Sequence, residues 1–171
     1  MQSASEILID LRQASKSESA LQISLSDDFF TAIGQDEISG GHLAVNILVR
    51  EQAYECFVVN LSVEGEVTVP CDRCMEALVM PIEAEGDVKV YAGDSDYVTD
   101  DDVKTPIGGG YKYDLAWDIF ETTLLSLPLQ RVHDIEDCNP EMVAMLSRED
   151  DEEEDDWKQK AGKSEIITEI Y

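Results

Sequence analysis

Positive charge is what this sequence has least of. Only 12 of its 171 residues are Lys or Arg, against 38 Asp and Glu, giving a formal net charge of -26 at pH 7. The run from Glu149 to Asp156 holds eight of these acids, and without it the net charge is still -18. The acidity is therefore global. Affinity for RNA comes largely from Lys and Arg displacing counterions condensed on phosphate, so broad binding to naked RNA is disfavoured while basic partners are attracted. Long apolar runs are also missing. No window approaches the ~20 apolar residues needed to span a bilayer, and Met1 to Glu6 has neither the basic nor the apolar region of a secretory signal. The expected location is the cytoplasm.

Catalytic templates are absent as well. There is no G-x-S-x-G, no G-x-G-x-x-G and no P-loop, and Gly108, Gly109 and Gly110 lack the following Lys and the preceding strand that phosphate cradling requires. The three glycines read as a flexible joint. The histidines number two, His42 and His133; His42 stands at the head of a strand with no carboxylate or nucleophile fixed beside it, and nothing in the sequence supports general-base work by either.

What is present suits one hydrophobic core, since 43% of the residues are hydrophobic and the length allows a single domain. Ile7, Ile9 and Leu11, then Leu21, Ile23 and Leu25, alternate with polar residues as half-buried strands do. Ser26 is a candidate cap for a short helix carrying Phe29, Phe30 and Ile33, ended by Gly34. Leu43 to Val49 alternate strictly, Glu51 and Gln52 offer a turn, and Tyr54 to Val63 continues as the second arm of a hairpin. Past Gly65, Val67 and Val69 lead into a turn with Cys71 and Cys74, after which Leu78 to Tyr91 reads as a long strand broken by Pro81. Residues 92 to 112 read as a surface loop. Asp114 is placed to cap a helix that runs to Leu127 before Pro128, and Asn139 with Pro140 marks another helix start.

The expected fold is α+β: an antiparallel, curved sheet of about five or six strands from residues 5 to 92, packed by the helix near 114–127 with short accessory helices. Residues 1–148 form the domain in this reading. Residues 149–171 form an acidic, disordered tail, because a run of like charges stays solvated.

Four cysteines in a reducing compartment serve as thiols or metal ligands more readily than as disulfides. Cys56, inside an apolar strand, reads as a small core residue. Cys71 and Cys74 have the C-x2-C spacing that points two thiolates at one ion, which is half of a zinc site. His133 and Cys138 would complete a Cys3His set. The 58 residues between Cys74 and His133 are too many for a finger or ribbon, so the spacing also fits turn thiols without special chemistry and a surface histidine. A redox pair is the third reading. It lacks the helix N-terminus that lowers a thiol pKa in thioredoxin-like proteins, and Arg73 favours a thiolate where Asp72 opposes it.

The segment Gly65-Glu66-Val67-Thr68-Val69-Pro70-Cys71-Asp72-Arg73-Cys74-Met75-Glu76 resembles the YceD-like family, a domain-of-unknown-function family marked by a strand leading into C-x-R-C-[LM]. Phe29-Phe30 ahead of Gly41-His42-Leu43, then Leu125-Ser126-Leu127-Pro128-Leu129, then His133 and Cys138 follow in the family's order, over roughly residues 5 to 148. The form is similar to versions from Bacteroidetes-type bacteria. The resemblance implies a non-enzymatic accessory role in accumulation or processing of 23S ribosomal RNA and large-subunit assembly. It also places Cys71, Cys74, His133 and Cys138 at motif positions, which implies a structural zinc ion. The implied partner is a basic large-subunit ribosomal protein or a pre-ribosomal particle. The competing class is a cytoplasmic thiol-redox or zinc-dependent enzyme using Cys71 and Cys74.

Overall fold

The computed structural model describes residues 6–93, 103–106 and 109–146. The acidic tail, and the cluster Asp94, Asp96, Asp100, Asp101 and Asp102, lie outside the described residues. The chain divides into two compact units, one made of Met1–Pro70 with Ala77–Arg131 and one of Cys71–Glu76 with Val132–Tyr171.

The first unit is α+β. Its elements run β1 (Leu8–Asp10), α1 (Leu11–Ala14), β2 (Leu21–Leu25), α2 (Asp27–Ile33), β3 (Gly40–Ala53), β4 (Cys56–Pro70), β5 (Ala77–Tyr91), β6 (Val103–Lys104), β7 (Lys112–Asp114) and α3 (Ala116–Ser126). One sheet has the order β2-β3-β4-β5-β6, and β1 pairs β7 in a separate two-stranded sheet. The expectation of an antiparallel sheet holds from β2 to β5 and fails at β6, which runs parallel to β5 through Lys89–Val103 and Val90–Lys104. The sheet is mixed. Two residues are too few to leave a periodic signal, and this strand falls in the stretch expected to be loop.

The long strands bury one face by strict alternation. Leu43, Val45, Ile47 and Val49 of β3 meet Val59, Leu61, Val63 and Val67 of β4 on the core side, as a period of two requires. Phe29 and Phe30 of α2, with Ile119 and Phe120 of α3, complete that core.

Local chemistry explains where the boundaries moved. Leu11 does not extend the first strand, because Asp10 accepts a hydrogen bond from the Gln13 amide at 2.9 Å and caps α1. Ser26 does sit at the N-cap of α2, but its hydroxyl makes no cap bond. Asp27 instead accepts from the Gly41 amide at 2.8 Å and ties α2 to the start of β3. The hairpin turn lies at Tyr54–Glu55, with Glu55 left-handed at φ 59°, and Glu51 and Gln52 belong to β3. The side chain of Tyr54 is 79% exposed, so its aromatic character does not mark a strand position. β5 continues unbroken through Pro81, which pairs Glu66. Among the described residues no strand pairs the other side of β5 there, so the missing N–H of proline costs no ladder bond.

A buried carboxylate fixes the last strands to α3. Asp118, 3% exposed, accepts from the Tyr113 hydroxyl at 2.9 Å and from Lys104 Nζ at 2.5 Å. Burial raises the Tyr113 pKa, and the adjacent Asp118 raises it further. Burial pulls Lys104 down, yet its bond to Asp118 prevails and the lysine titrates above its ordinary value.

Two glycines permit the closest strand approach. Gly41 and Gly65 have φ of 150° and 147°, a conformation that side chains disfavour. A Cβ on Gly65 would lie 2.1 Å from the His42 carbonyl oxygen, and one on Gly41 2.4 Å from that of Glu66. Both obstacles are backbone and cannot swing away. Substituting Gly65→Ala is therefore expected to destabilise the protein by about 2 kcal/mol, read as a lowered urea midpoint with circular dichroism; an unchanged midpoint would show that β3 and β4 separate at no cost.

Candidate metal centre

The second unit is built from two stretches distant in sequence. The first, Cys71–Glu76, is the connection between Pro70 and Ala77, which are themselves a register pair. It closes on itself through Met75 N–H to the Cys71 carbonyl and Cys71 N–H to the Glu76 carbonyl, both 2.9 Å. Met75 adopts φ 63° to complete the turn, a left-handed position that costs a non-glycine residue on the order of 1 kcal/mol. The loop thereby gathers Cys71 and Cys74.

The second stretch brings His133 and Cys138. Asp137 and Cys138 donate their amides to the Asp134 carbonyl at 2.9 and 3.2 Å, forming a turn. Asn139 then caps helical residues 140–146, its Oδ1 accepting from the Glu141 amide at 3.0 Å, with Pro140 in the first helical position as its fixed φ favours. The same Asn139 donates through Nδ2 to Glu76 Oε1 at 2.9 Å and so joins the two stretches.

Cys71, Cys74, His133 and Cys138 present ligand atoms that all lie within 4.8 Å of one another. All four expected residues come together. Cys74 Sγ and His133 Nδ1 are 3.5 Å apart. Metal–sulfur bonds of about 2.3 Å and metal–nitrogen bonds of about 2.0 Å at a tetrahedral angle demand about 3.5 Å. The set could hold a metal ion. Cys71 is fully buried and Cys74 and Cys138 are each 4% exposed, so the sulfurs face inward. His42, by contrast, stands exposed in β3, opposite Glu66, and joins no metal-ligating cluster among the described residues. Cys56 is half-buried at the start of β4 rather than a core residue.

Protonation follows from backbone geometry. Burial pushes the Cys71 thiol up, but the amides of His133, Cys74 and Arg73 outweigh it and bring the pKa down to about 6. Cys74 is lowered chiefly by the Asn139 amide, against the effect of burial. Cys138 goes the other way: burial and the neighbouring sulfurs of Cys71 and Cys74 raise it, with Arg73 opposing. The Arg73 side chain acts on a cysteine other than the two it flanks in sequence. Its Nη1 donates to the His133 carbonyl at 3.3 Å and approaches Cys138 Sγ at 3.5 Å, so its charge lies against the third cysteine. Glu76 and Asn139 were not legible as parts of a site, although Asn139-Pro140 was legible as a helix start.

A family model described as "Large ribosomal RNA subunit accumulation protein YceD" matches residues 59–166, which include all four cluster residues. A search of curated proteins gives no match, and neither does a search of solved structures.

In reduced, metal-free protein the thiolate absorbance should show a step near pH 6 that Cys71→Ser removes. The folded pKa of Cys71 lies below the ordinary value of 9.0, so its stabilising contribution is fully present above pH 9 and is lost as pH falls through about 6. Melting temperatures of wild type and Cys71→Ser, followed from pH 9 to pH 6, should converge towards the acidic end. Parallel curves would show that the backbone amides do not hold a thiolate.

Proposed function

The chain belongs to the YceD family, and from that premise we propose that it is a non-enzymatic, cytoplasmic accessory factor for accumulation of 23S ribosomal RNA. In this reading it holds a basic large-subunit ribosomal protein or a protein-rich face of a precursor particle. The family match carries the proposal. The net charge of -26 supports it, because long-range attraction favours a basic protein surface and opposes naked phosphate. No helix among the described residues is long and apolar enough to cross a membrane.

The cluster takes a structural zinc ion in this reading. Three thiolates and an imidazole are a donor set that zinc accepts in closed sites, with all four tetrahedral positions filled by protein and none left for substrate or an activated water. Zinc bound there would link the two stretches of the second unit and add its binding energy to folding. The lowered pKa of Cys71 also suits thiol exchange, but exchange requires an attacking or departing sulfur within reach of a partner. Burial of Cys71 and Cys74 argues for the structural role.

Protein purified under reducing conditions should carry zinc at one ion per chain. A strong chelator, or the substitution Cys138→Ser, should release it and lower the melting temperature by about 10 °C, as the loss of several kcal/mol does in a domain of this size. Absence of zinc with an unchanged melting curve would remove the metal assignment. In a deletion strain mature 23S RNA should fall relative to 16S RNA and recover with the wild-type chain. Normal ratios would remove the accessory-factor reading.

A further inference from the structure

Within the first unit, β5 is an edge strand for most of its length. β4 pairs it from Ala77 to Tyr91, whereas on the other side, among the described residues, only β6 pairs it, at Lys89 and Val90. A long edge presents backbone donors and acceptors that can template another strand. Beside the paired end lies a cleft of about 450 Å³, walled by β5 from Ala84 to Lys89 and by the α3 side chains of Asp118, Glu121, Thr122 and Leu125.

The two walls approach closely at Gly86. A Cβ on Gly86 would lie 2.8 Å from Thr122 Oγ1, so strand and helix meet there. Leu125 brings apolar surface that is 78% exposed, and Trp117, two helical turns before it, is 51% exposed. Apolar surface of this kind marks interaction sites more often than bare scaffold when it borders a cleft. The charged lining is unbalanced. Glu85, Asp87, Asp118 and Glu121 outnumber Lys89 and Lys104 in the lining; Asp87 accepts from Asn60 Nδ2 at 2.5 Å, and Lys104 is engaged by Asp118 at 2.5 Å and Glu121 at 3.5 Å.

We infer that this cleft takes an extended Lys- and Arg-bearing segment of a partner protein, added to the edge of β5 in line with β6. The inference rests on the reading that the partner is basic and gives that partner a place to dock. Main-chain bonds to β5 supply affinity, and alternate side chains of the segment meet the carboxylates and Leu125 across the cleft. Charge selects the occupant, since the same lining repels an RNA backbone.

The test uses the full chain and a fluorescent ten-residue peptide of alternating Lys and Val. Binding should be salt-sensitive. It should weaken by about tenfold, the order expected when one central contact is reversed, in Leu125→Arg, an exposed position where folding is not at stake. Glu64→Arg, exposed in β4 outside the cleft lining, should leave it unchanged. A peptide with Pro at every second position keeps its charge but loses strand donors and should bind no better than Leu125→Arg binds the parent. Hydrogen exchange should slow in residues 84–89 when peptide is added. Equal affinity for the proline peptide would reduce the contact to bulk charge and overturn the inference. So would unaltered binding by Leu125→Arg, or full protection of residues 84–89 without peptide, which would place the chain's own residues on that edge. Protection of the same residues by single-stranded RNA would also overturn it. A deletion strain with normal 23S RNA removes the accessory-factor reading without touching these measurements, whereas failure of the cleft measurements leaves that reading in place.

Discussion

β4 is hydrogen-bonded along both edges, to β3 from Cys56–Ala53 to Thr68–Gly40 and to β5 from Cys56–Tyr91 to Pro70–Ala77. A slip of one residue on either side would turn Val59, Leu61, Val63, Val67 and Val69 from the core to solvent, so the register is held by burial as well as by the ladder. The glycines at 41 and 65 are the local condition for that register. They let the strands meet where a side chain would collide with backbone oxygen. Because Pro70 pairs Ala77 at the end of the β4–β5 ladder, the chain has six residues in which to turn, and those six carry Cys71 and Cys74.

That short connection supplies part of the chemistry of the cysteines, the amides of His133 and Asn139 in the second stretch giving the largest lowering at Cys71 and Cys74. A turn closed by reciprocal bonds between Cys71 and the Met75–Glu76 backbone leaves amides aimed inward, and inward amides stabilise sulfur carrying negative charge. Burial alone would keep all three thiols protonated. It does so for Cys138, where the Arg73 guanidinium offsets only part of the cost, while the amides reverse it at Cys71 and Cys74. The protein thus holds Cys71, with a pKa of about 6, ready as a thiolate before any ion arrives and favours ionisation of Cys74, while a metal would have to displace the proton of Cys138, whose pKa is raised. The left-handed Met75 is the conformational cost of this arrangement.

The extent to which the sequence disclosed this varies with the physics of each element. The β2 strand, α2 with its Gly34 stop and the alternation of β3 were legible because each has a periodic apolar face or a turn residue of its own. The four cluster residues were legible as types through C-x2-C, but their convergence was legible only through the family resemblance, since 58 intervening residues carry no record of distance. β6 was invisible. Its two residues depend on Lys104 reaching the buried Asp118 of α3, a tertiary contact that no local pattern encodes. Pro81 was misread for the complementary reason: proline interrupts a strand only where its N–H is needed, and an edge strand does not need it.

The edge that tolerates Pro81 is also where global charge becomes specific. An exposed strand as long as β5 would invite pairing between copies of the same chain. Glu83, Glu85 and Asp87 occupy alternate, exposed positions along it, so two copies brought edge to edge would set like charges against each other, which destabilises a cross-strand pair. Those acids need not block every strand. A segment carrying Lys or Arg at alternate positions would convert the same repulsion into complementarity while keeping the backbone bonds. Acids at Glu83, Glu85 and Asp87, on an edge that no strand among the described residues pairs, therefore separate partners by sign: they disfavour self-association and phosphate, and under the proposed reading they favour basic polypeptide.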